Sequence, residues 1–423
     1  MTDRRLWPVE VDDACARFAD AYTGWTWPEL LEAVTGSLSR PPAAELVQAL
    51  LAAHPVEPPD PERALREALH PWTDPSGPPA AVFPEPPTGD LVTVPEGLPT
   101  LRSPAEVAAW LDLTAGELEW FADHGGWLRR ARPPLRHYRH RTREKRDGVR
   151  VIEAPKPRLR EIQRRILHRL LARIPAHPCA RGFLPGTGPA AFGRPHSARA
   201  TVLRVDLRHC FESIPVRRVR DVFGLAGYPP PVAEVLADLC TTATPVDALR
   251  AVPADHATYL RGRHLPQGAP TSPHLSNLVL RRLDRRLYGY AAANGLTYTR
   301  YGDDLALSGD DLDAGRALWV MLRVIRSEGF TVHAGKTRVM HSCQRQTLAG
   351  LVVNDRPRVP RAEYDALRAL LHNARLHGAA SQNHAGHRDY RAHVLGRIAW
   401  VGTGDPARRA TLLRMAREVE WES

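Results

Sequence analysis

The sequence predicts an α+β fold in which helices surround one small antiparallel sheet. Three observations carry that expectation. A short apolar run, Val202, Leu203 and Val205, has the length of a buried strand and delivers Asp206 at its end. Two extended runs, LTYTRY and LALSG, flank Gly302-Asp303-Asp304 and read as a hairpin with two acids at its tip. Elsewhere apolar residues recur at helical spacing, as in LREIQRRILHRLLARI, where Ile162, Ile166, Leu170 and Ile174 share one face and arginines the other.

Taken in order, residues 1–54 read as an acidic helical extension, with an apolar pattern through Trp25, Leu30, Leu31, Val34 and Leu46–Leu51. Residues 55–100 are interrupted repeatedly by proline and are expected to form a semi-rigid linker. A new unit opens at Ser103, an N-cap followed by Pro104 at the first helical position and Glu106 at the third, the pattern of a capping box. Thr114 and Glu117 repeat that pattern before a second short helix. The chain is densely basic from Arg129 to Arg173, and DGVRVIEAP within it reads as a strand after a turn at Asp147-Gly148. Gly268, Pro270 and Pro273 predict a kinked loop feeding a helix that starts near His274. RAEYDALRALLHNARLHG predicts a further helix near the C-terminal end. The expected divisions are 1–54, 55–100, 101–200, 201–354 and 355–423.

The formal net charge is +11 over 423 residues, but it is unevenly spread. Residues 1–100 carry 16 acids against 6 basic residues, and the remainder carries 31 against 52. A basic body behind an acidic N-terminal part points to a polyanionic partner, nucleic acid before membrane. Aromatic content is 7%, so contact with nucleic acid is expected to be mostly ionic and steeply salt-dependent. The five cysteines, Cys15, Cys179, Cys210, Cys240 and Cys343, lie far apart without a CxxC pair, and neither a disulfide framework nor a zinc site follows from that spacing. The N-terminal stretch MTDRRLWPVEVDD has no apolar signal core, and no run reaches the ~18–20 apolar residues of a membrane span. A reduced, cytoplasmic protein is the expectation.

The chemistry concentrates in three segments. TVLRVDLRHCFESI brings Asp206 to the end of a buried strand, with Phe211 five residues on. The Asp303–Asp304 hairpin sets two carboxylates side by side, where like-charge repulsion is relieved by a divalent cation, and hard Mg²⁺ prefers carboxylate oxygen. LPQGAPTSPHLSNL presents Gln267, Gly268 and Ser272 on a loop that could touch a template base or backbone. Asp206 and the hairpin are expected on adjacent antiparallel strands, holding two metal ions about 3.5–4 Å apart. That geometry suits in-line displacement of pyrophosphate by a hydroxyl.

In order and spacing these segments resemble the reverse transcriptases, within them the bacterial retron and group II intron-like branch. DLRHCF resembles motif A, LPQGAPTSP motif B, YGDD motif C, GFTVHAGKTRVM motif D and RQTLAGLVVN motif E. RDGVRVIEAPKPRLREIQRRIL and ARGFLPGTG resemble the finger motifs that precede motif A. The resemblance runs from about Ser103 to Trp421 and implies a right-hand polymerase: fingers over 101–200, a palm with a small antiparallel sheet over 201–354 and a helical thumb over 355–423. It implies Asp206, Asp303 and Asp304 as catalytic residues and ligands of two Mg²⁺ ions. Phe211 would be a steric gate against a ribose 2′-OH, and Lys336 would lie near the leaving pyrophosphate. Gln267 and Gly268 would lie against the nascent pair, and Arg150 and Arg160 would contact triphosphate or template. The absence of a maturase or endonuclease segment after the thumb disfavours an intact group II intron protein.

The implied activity is copying a cognate structured non-coding RNA, template and primer in one, into single-stranded DNA from dNTPs, leaving an RNA–DNA hybrid of msDNA type. Such systems commonly act in anti-phage defence beside a separate effector protein. Three departures stand out. Where retron enzymes carry NAxxH this chain has Phe192-Gly193-Arg194-Pro195-His196, their VTG is Leu348-Ala349-Gly350, and YGDD replaces the commoner YADD. The alternatives are another defence-associated or group II intron-derived reverse transcriptase with a different template or none, an RNA-dependent RNA polymerase, against which Phe211 argues, and a catalytically silent RNA-binding scaffold.

Overall fold

A computed structural model describes residues 8–24, 26–37, 43–70, 97–145 and 148–421. The chain divides into two compact units, residues 1–82 and 83–423. In the first, helices α1 (Pro8–Ala21), α2 (Trp27–Ser37), α3 (Ala43–Ala53) and α4 (Pro61–Leu69) enclose a core that includes Phe18, Leu30, Val34, Leu46, Leu50, Leu65 and Leu69. α4 corrects the expectation of a linker throughout 55–100. Asp60 caps it by accepting from Arg63 N, Pro61 enters at the first turn where a missing N–H costs nothing, and Leu65 and Leu69 bury one face. Residues 71–96 of that expected linker, with Trp25 and Asp147, lie outside the described residues.

The second unit opens with α5 (Pro104–Trp110) and α6 (Ala115–Ala122). Thr114 and Glu117 make the reciprocal capping box that the sequence predicts. Ser103 accepts from Glu106 N as expected, but the Glu106 carboxylate accepts from Arg102 N instead of closing the box. The hairpin β1 (Tyr138–Lys145) and β2 (Gly148–Pro155) precedes α7 (Pro157–Arg169). α7 is shorter than its apolar stripe: Leu170 closes it and Ile174 follows a tight turn, although both are buried. α8 (Pro189–Gly193) leads into β3 (Thr201–Arg208). Then come α9 (Val216–Leu225), α10 (Pro230–Cys240), α11 (Val246–Leu249), α12 (Ala254–Arg261), α13 (Ser272–Val279) and α14 (Arg281–Ala293).

The central sheet is completed by β4 (Thr297–Tyr301), β5 (Asp304–Gly309), β6 (Thr331–Val332) and β7 (Arg338–His341), with α15 (Ala314–Ser327) between β5 and β6. Its strands run β4-β5-β3-β6, and β7 also pairs with β3. All pairings are antiparallel, with Leu203 opposite Leu307 and Asp206 opposite Asp304. A small hairpin of β8 (Thr347–Leu348) and β9 (Leu351–Val352) precedes α16 (Arg361–His377), α17 (Tyr390–Val401) and α18 (Pro406–Arg417), which pack around Leu367, Leu371, Val394, Ile398 and Leu412.

Three buried polar nodes bind these elements. The first fixes the β4–β5 hairpin. Arg300, fully buried on β4, donates to both carboxylate oxygens of Asp284 on α14 at 2.8 and 2.6 Å, and to Asn277 Oδ1 and the Gly302 carbonyl at 3.0 Å. The second clamps the same two strands. His196, wholly buried, sits 2.7 Å from both Ser308 Oγ on β5 and Thr299 Oγ1 on β4, and burial, with Arg199 adding, lowers its pKa to about 3. A neutral ring that donates through one nitrogen and accepts through the other satisfies both hydroxyls.

The third node joins β2 to the segment 242–267. Glu153 accepts from Thr244 Oγ1 at 2.7 Å and pairs with His264 Nε2 at 2.8 Å, while His140 stands 3.4 Å away. Burial alone would raise the Glu153 carboxyl, but the imidazoles of His264 and His140 outweigh it and hold it at about 2. Burial works against the His264 imidazolium, and Glu153 more than compensates, leaving its pKa raised.

Two outcomes follow for stability. Asp284→Ala strands the buried Arg300 cation and is expected to cost about 3–5 kcal/mol in urea unfolding; a loss near that of an average surface change would contradict the node's importance. The depressed Glu153 contributes stability above the ordinary carboxylate range, and the raised His264 contributes it below about pH 6.5, so the pair is fully formed between them. Stability should fall as pH rises through the His264 transition, and Glu153→Gln should flatten that fall. Identical pH profiles for the two proteins would refute the assignment.

Candidate active site

The carboxylates meet because of how β3 and β5 are registered. Asp206 lies directly opposite Asp304, and the Leu207 amide donates to the Asp303 carbonyl at 2.9 Å, drawing the turn of the β4–β5 hairpin onto the end of β3. Gly302 takes φ +65° in that turn. Gly182 presses against it so closely that a Cβ would come within 2.7 Å of Gly302 N. A cavity of about 490 Å³ opens beside the turn, lined by Asp206, Asp303, Phe211, Gln267, Lys336 and Arg150 among others.

Six of the nine residues to which the resemblance assigns a role therefore share one cavity. Phe211 is half-buried and meets Phe183 edge-on, with ring centroids 6.1 Å apart. Lys336 Nζ lies 3.2 Å from Asp206 Oδ1, and the His333 amide donates to the Asp206 carbonyl at 2.8 Å, which holds the Lys336 turn against β3. The Gln267 carbonyl accepts from the Glu153 amide at 2.9 Å, so the loop is tied to β2, the strand that carries Arg150.

The other three do not line the cavity. Gly268 takes φ +136°, and a Cβ there would lie 3.0 Å from the Glu153 carbonyl; the glycine allows the loop to approach β2. Arg160 donates to the Pro155 carbonyl at 3.0 Å and pins the start of α7 to the end of β2. Asp304 is held by Arg204, whose Nε and Nη2 donate to its two oxygens at 2.7 and 2.8 Å. Neighbouring carboxylates are thus treated differently: Asp304 has a fixed cation, and Asp303 faces the cavity.

Electrostatics reflect that division. Crowding of Asp303 by protein, with Asp206 and Asp304 adding, pushes its carboxyl up to about 6. Burial also raises Asp304, against the pull of Arg204. Carboxylates in this condition are short of positive charge, and their hard oxygen donors suit a divalent cation, so Asp206 and Asp303 fit one.

Sequence reasoning missed Arg204, Asp284 and Arg300. Asp284 stands in LRRLDRRL, which reads as a solvated helix face. The available signal was Arg300 itself, an arginine inside a strand otherwise composed for burial. His196, the survivor of an altered signature, is a strand clamp. Of the altered VTG segment, Ala349 and Gly350 both take positive φ, and a Cβ added at Gly350 would meet the Trp400 ring at 3.5 Å.

Comparison with known proteins gives the family of the chain. The family model of reverse transcriptases (RNA-dependent DNA polymerases) matches residues 142–382, which span the cavity and every strand of the central sheet. The chain is 40% identical over 325 residues to the retron Mx65 reverse transcriptase of Myxococcus xanthus, covering 75% of this chain and 72% of that protein. It is 34% identical over 342 residues to the retron Mx162 enzyme of the same species, covering 77% and 68%. The retron Ec86 reverse transcriptase of Escherichia coli is 30% identical over 227 residues, 53% of this chain and 65% of that one. Among the described residues no helix is long and apolar enough to cross a membrane. With two carboxylates at the mouth of a nucleotide-sized cavity and relatives of this kind over most of its length, the chain belongs to the retron reverse transcriptases and is an RNA-directed DNA polymerase.

Proposed function

We propose that this enzyme copies part of a cognate structured non-coding RNA into single-stranded DNA of msDNA type, in anti-phage defence with a separate effector protein. The carrying observation is the single cavity that gathers Asp206, Asp303, Phe211, Gln267, Lys336 and Arg150. In this reading the unit is a right hand, with fingers over 101–200, palm over 201–354 and thumb over 355–423. The acidic helices of 1–54 belong to the other compact unit.

Asp206 and Asp303 are the assigned ligands of two Mg²⁺ ions, which when bound would activate the primer hydroxyl and neutralise charge on the leaving pyrophosphate. Asp304 acts through position: clamped by Arg204, it keeps the start of β5 against β3 and so aims Asp303. Lys336 neutralises Asp206 in the free enzyme, and its ammonium is within reach of developing phosphate charge once that contact is released. Phe211 closes the side of the cavity where a 2′-OH would project. Arg150 carries positive charge to the triphosphate. Gln267 meets the nascent base pair from a loop whose position is set by Glu153. Template and product are held by the basic surface.

The test is to express the chain with its flanking DNA and sequence the nucleic acid that copurifies, beside an Asp303→Asn control. A discrete RNase-sensitive RNA–DNA species that the control lacks is the expected result. Long heterogeneous DNA with no fixed template would move the reading to another class of reverse transcriptase. On a defined primer-template, Asp303→Asn should lower the rate by at least about 10²–10³-fold. Phe211→Ala should improve ribonucleotide use relative to deoxynucleotide on the order of ten- to a hundredfold. An unchanged sugar preference would remove Phe211 from the gate.

A further inference from the structure

The wall of the same cavity holds a second group of donors that the polymerase reading leaves unused. His209, Glu212 and His256 each offer a ligand atom, and these atoms lie within 4.8 Å of one another. Glu212 and His256 are buried, and all three residues line the cavity. The Nε2 atoms of His209 and His256 are both buried without a hydrogen-bond partner. His256 Nε2 stands 3.5 Å from Glu212 Oε1, too far for a good hydrogen bond, and the two imidazoles stack with centroids 3.9 Å apart.

Two orphaned ring nitrogens facing one carboxylate form an unfavourable arrangement without a shared partner. A proton on either ring serves one contact only, whereas a single cation takes a lone pair from each nitrogen and from the carboxylate together. The backbone supports the grouping. His209 is held at φ +50° immediately after β3, a conformation that side chains other than glycine seldom adopt, and α12 presents His256 from another part of the chain.

We propose that His209, Glu212 and His256 bind one zinc-class divalent ion, in addition to the Mg²⁺ assigned to Asp206 and Asp303. Two imidazoles and one carboxylate are the donor set of a borderline metal and a poor one for Mg²⁺, which prefers oxygen. Rotation of one imidazole out of the stack would bring the three donors to the ~2.0–2.2 Å that Zn²⁺ requires. Three protein ligands leave a fourth position, and all three residues line the cavity. The ion ties the turn after β3 to α12, so its binding stabilises the folded chain.

The experiment uses the full chain stripped with a chelator and dialysed against zinc chloride in excess magnesium chloride. Zinc is counted by elemental analysis, and cobalt(II) is added to a parallel sample as a spectroscopic probe. The wild type is expected to retain one equivalent, to show a cobalt ligand-field spectrum and to unfold at higher temperature with zinc. His209→Asn, whose asparagine tolerates the left-handed backbone, and Glu212→Gln should each weaken zinc binding by about tenfold or more and lose the thermal shift. Asp303→Asn should keep both. A wild type that holds no zinc in excess magnesium overturns the site. So does zinc binding that survives both His209→Asn and Glu212→Gln, as an ion held at His387 and His393, whose rings stack 3.7 Å apart, would, or that disappears with Asp303→Asn.

Discussion

The structure depends most on the register of β3 against β5. Side chains alternate across a strand, so a slip of one residue would turn Asp206 and its neighbours to the opposite face and dismantle both core and site at once. Here Leu203 opposite Leu307 and Asp206 opposite Asp304 satisfy burial and chemistry with one alignment. The constraint is reinforced from outside the sheet, because His196 bridges β4 and β5 while Arg300 joins the hairpin to α14 and α13. Both fasteners are buried and polar, and each satisfies directional partners that a slipped strand would leave unpaired.

That register gathers negative charge, and the molecule answers it unequally. Arg204 neutralises Asp304 with a two-pronged contact, and the half-buried Lys336 reaches Asp206 with a single ammonium. The guanidinium is rigid and matched to a carboxylate, so it serves as structure. The ammonium on its flexible stem is the contact that can be exchanged for another partner. Asp303 is left with the largest unmet demand for positive charge, at the point where the cavity opens.

Much of this was legible in the sequence because local pattern and chemistry coincide there. Val202, Leu203 and Val205 advertise a buried strand, and the paired acids of the YGDD turn advertise both a hairpin and a metal-seeking site. The prolines of 55–100 misled, because proline breaks helix interiors but is welcome in a first turn, where Pro61 sits behind the Asp60 cap. Roles set by long-range contact were hidden. Nothing near Asp304 announces Arg204 as its partner across two strands, and nothing in LRRLDRRL marks Asp284 as the one carboxylate that faces inward. Gly268 and Arg160 were noticed for a possible ligand contact, whereas their observed partners are the backbones of Glu153 and Pro155.

The contact between the Glu153 amide and the Gln267 carbonyl, with Gly268 seated on the same strand, has a mechanical meaning. The β1–β2 hairpin and the 264–268 loop are fastened at a point where neither can yield alone, because the Glu153 side chain is also anchored to His264 and Thr244. They are therefore held in one fixed relation to each other. The strand that carries Arg150 and the loop that carries Gln267 thus present both residues to the cavity as one unit.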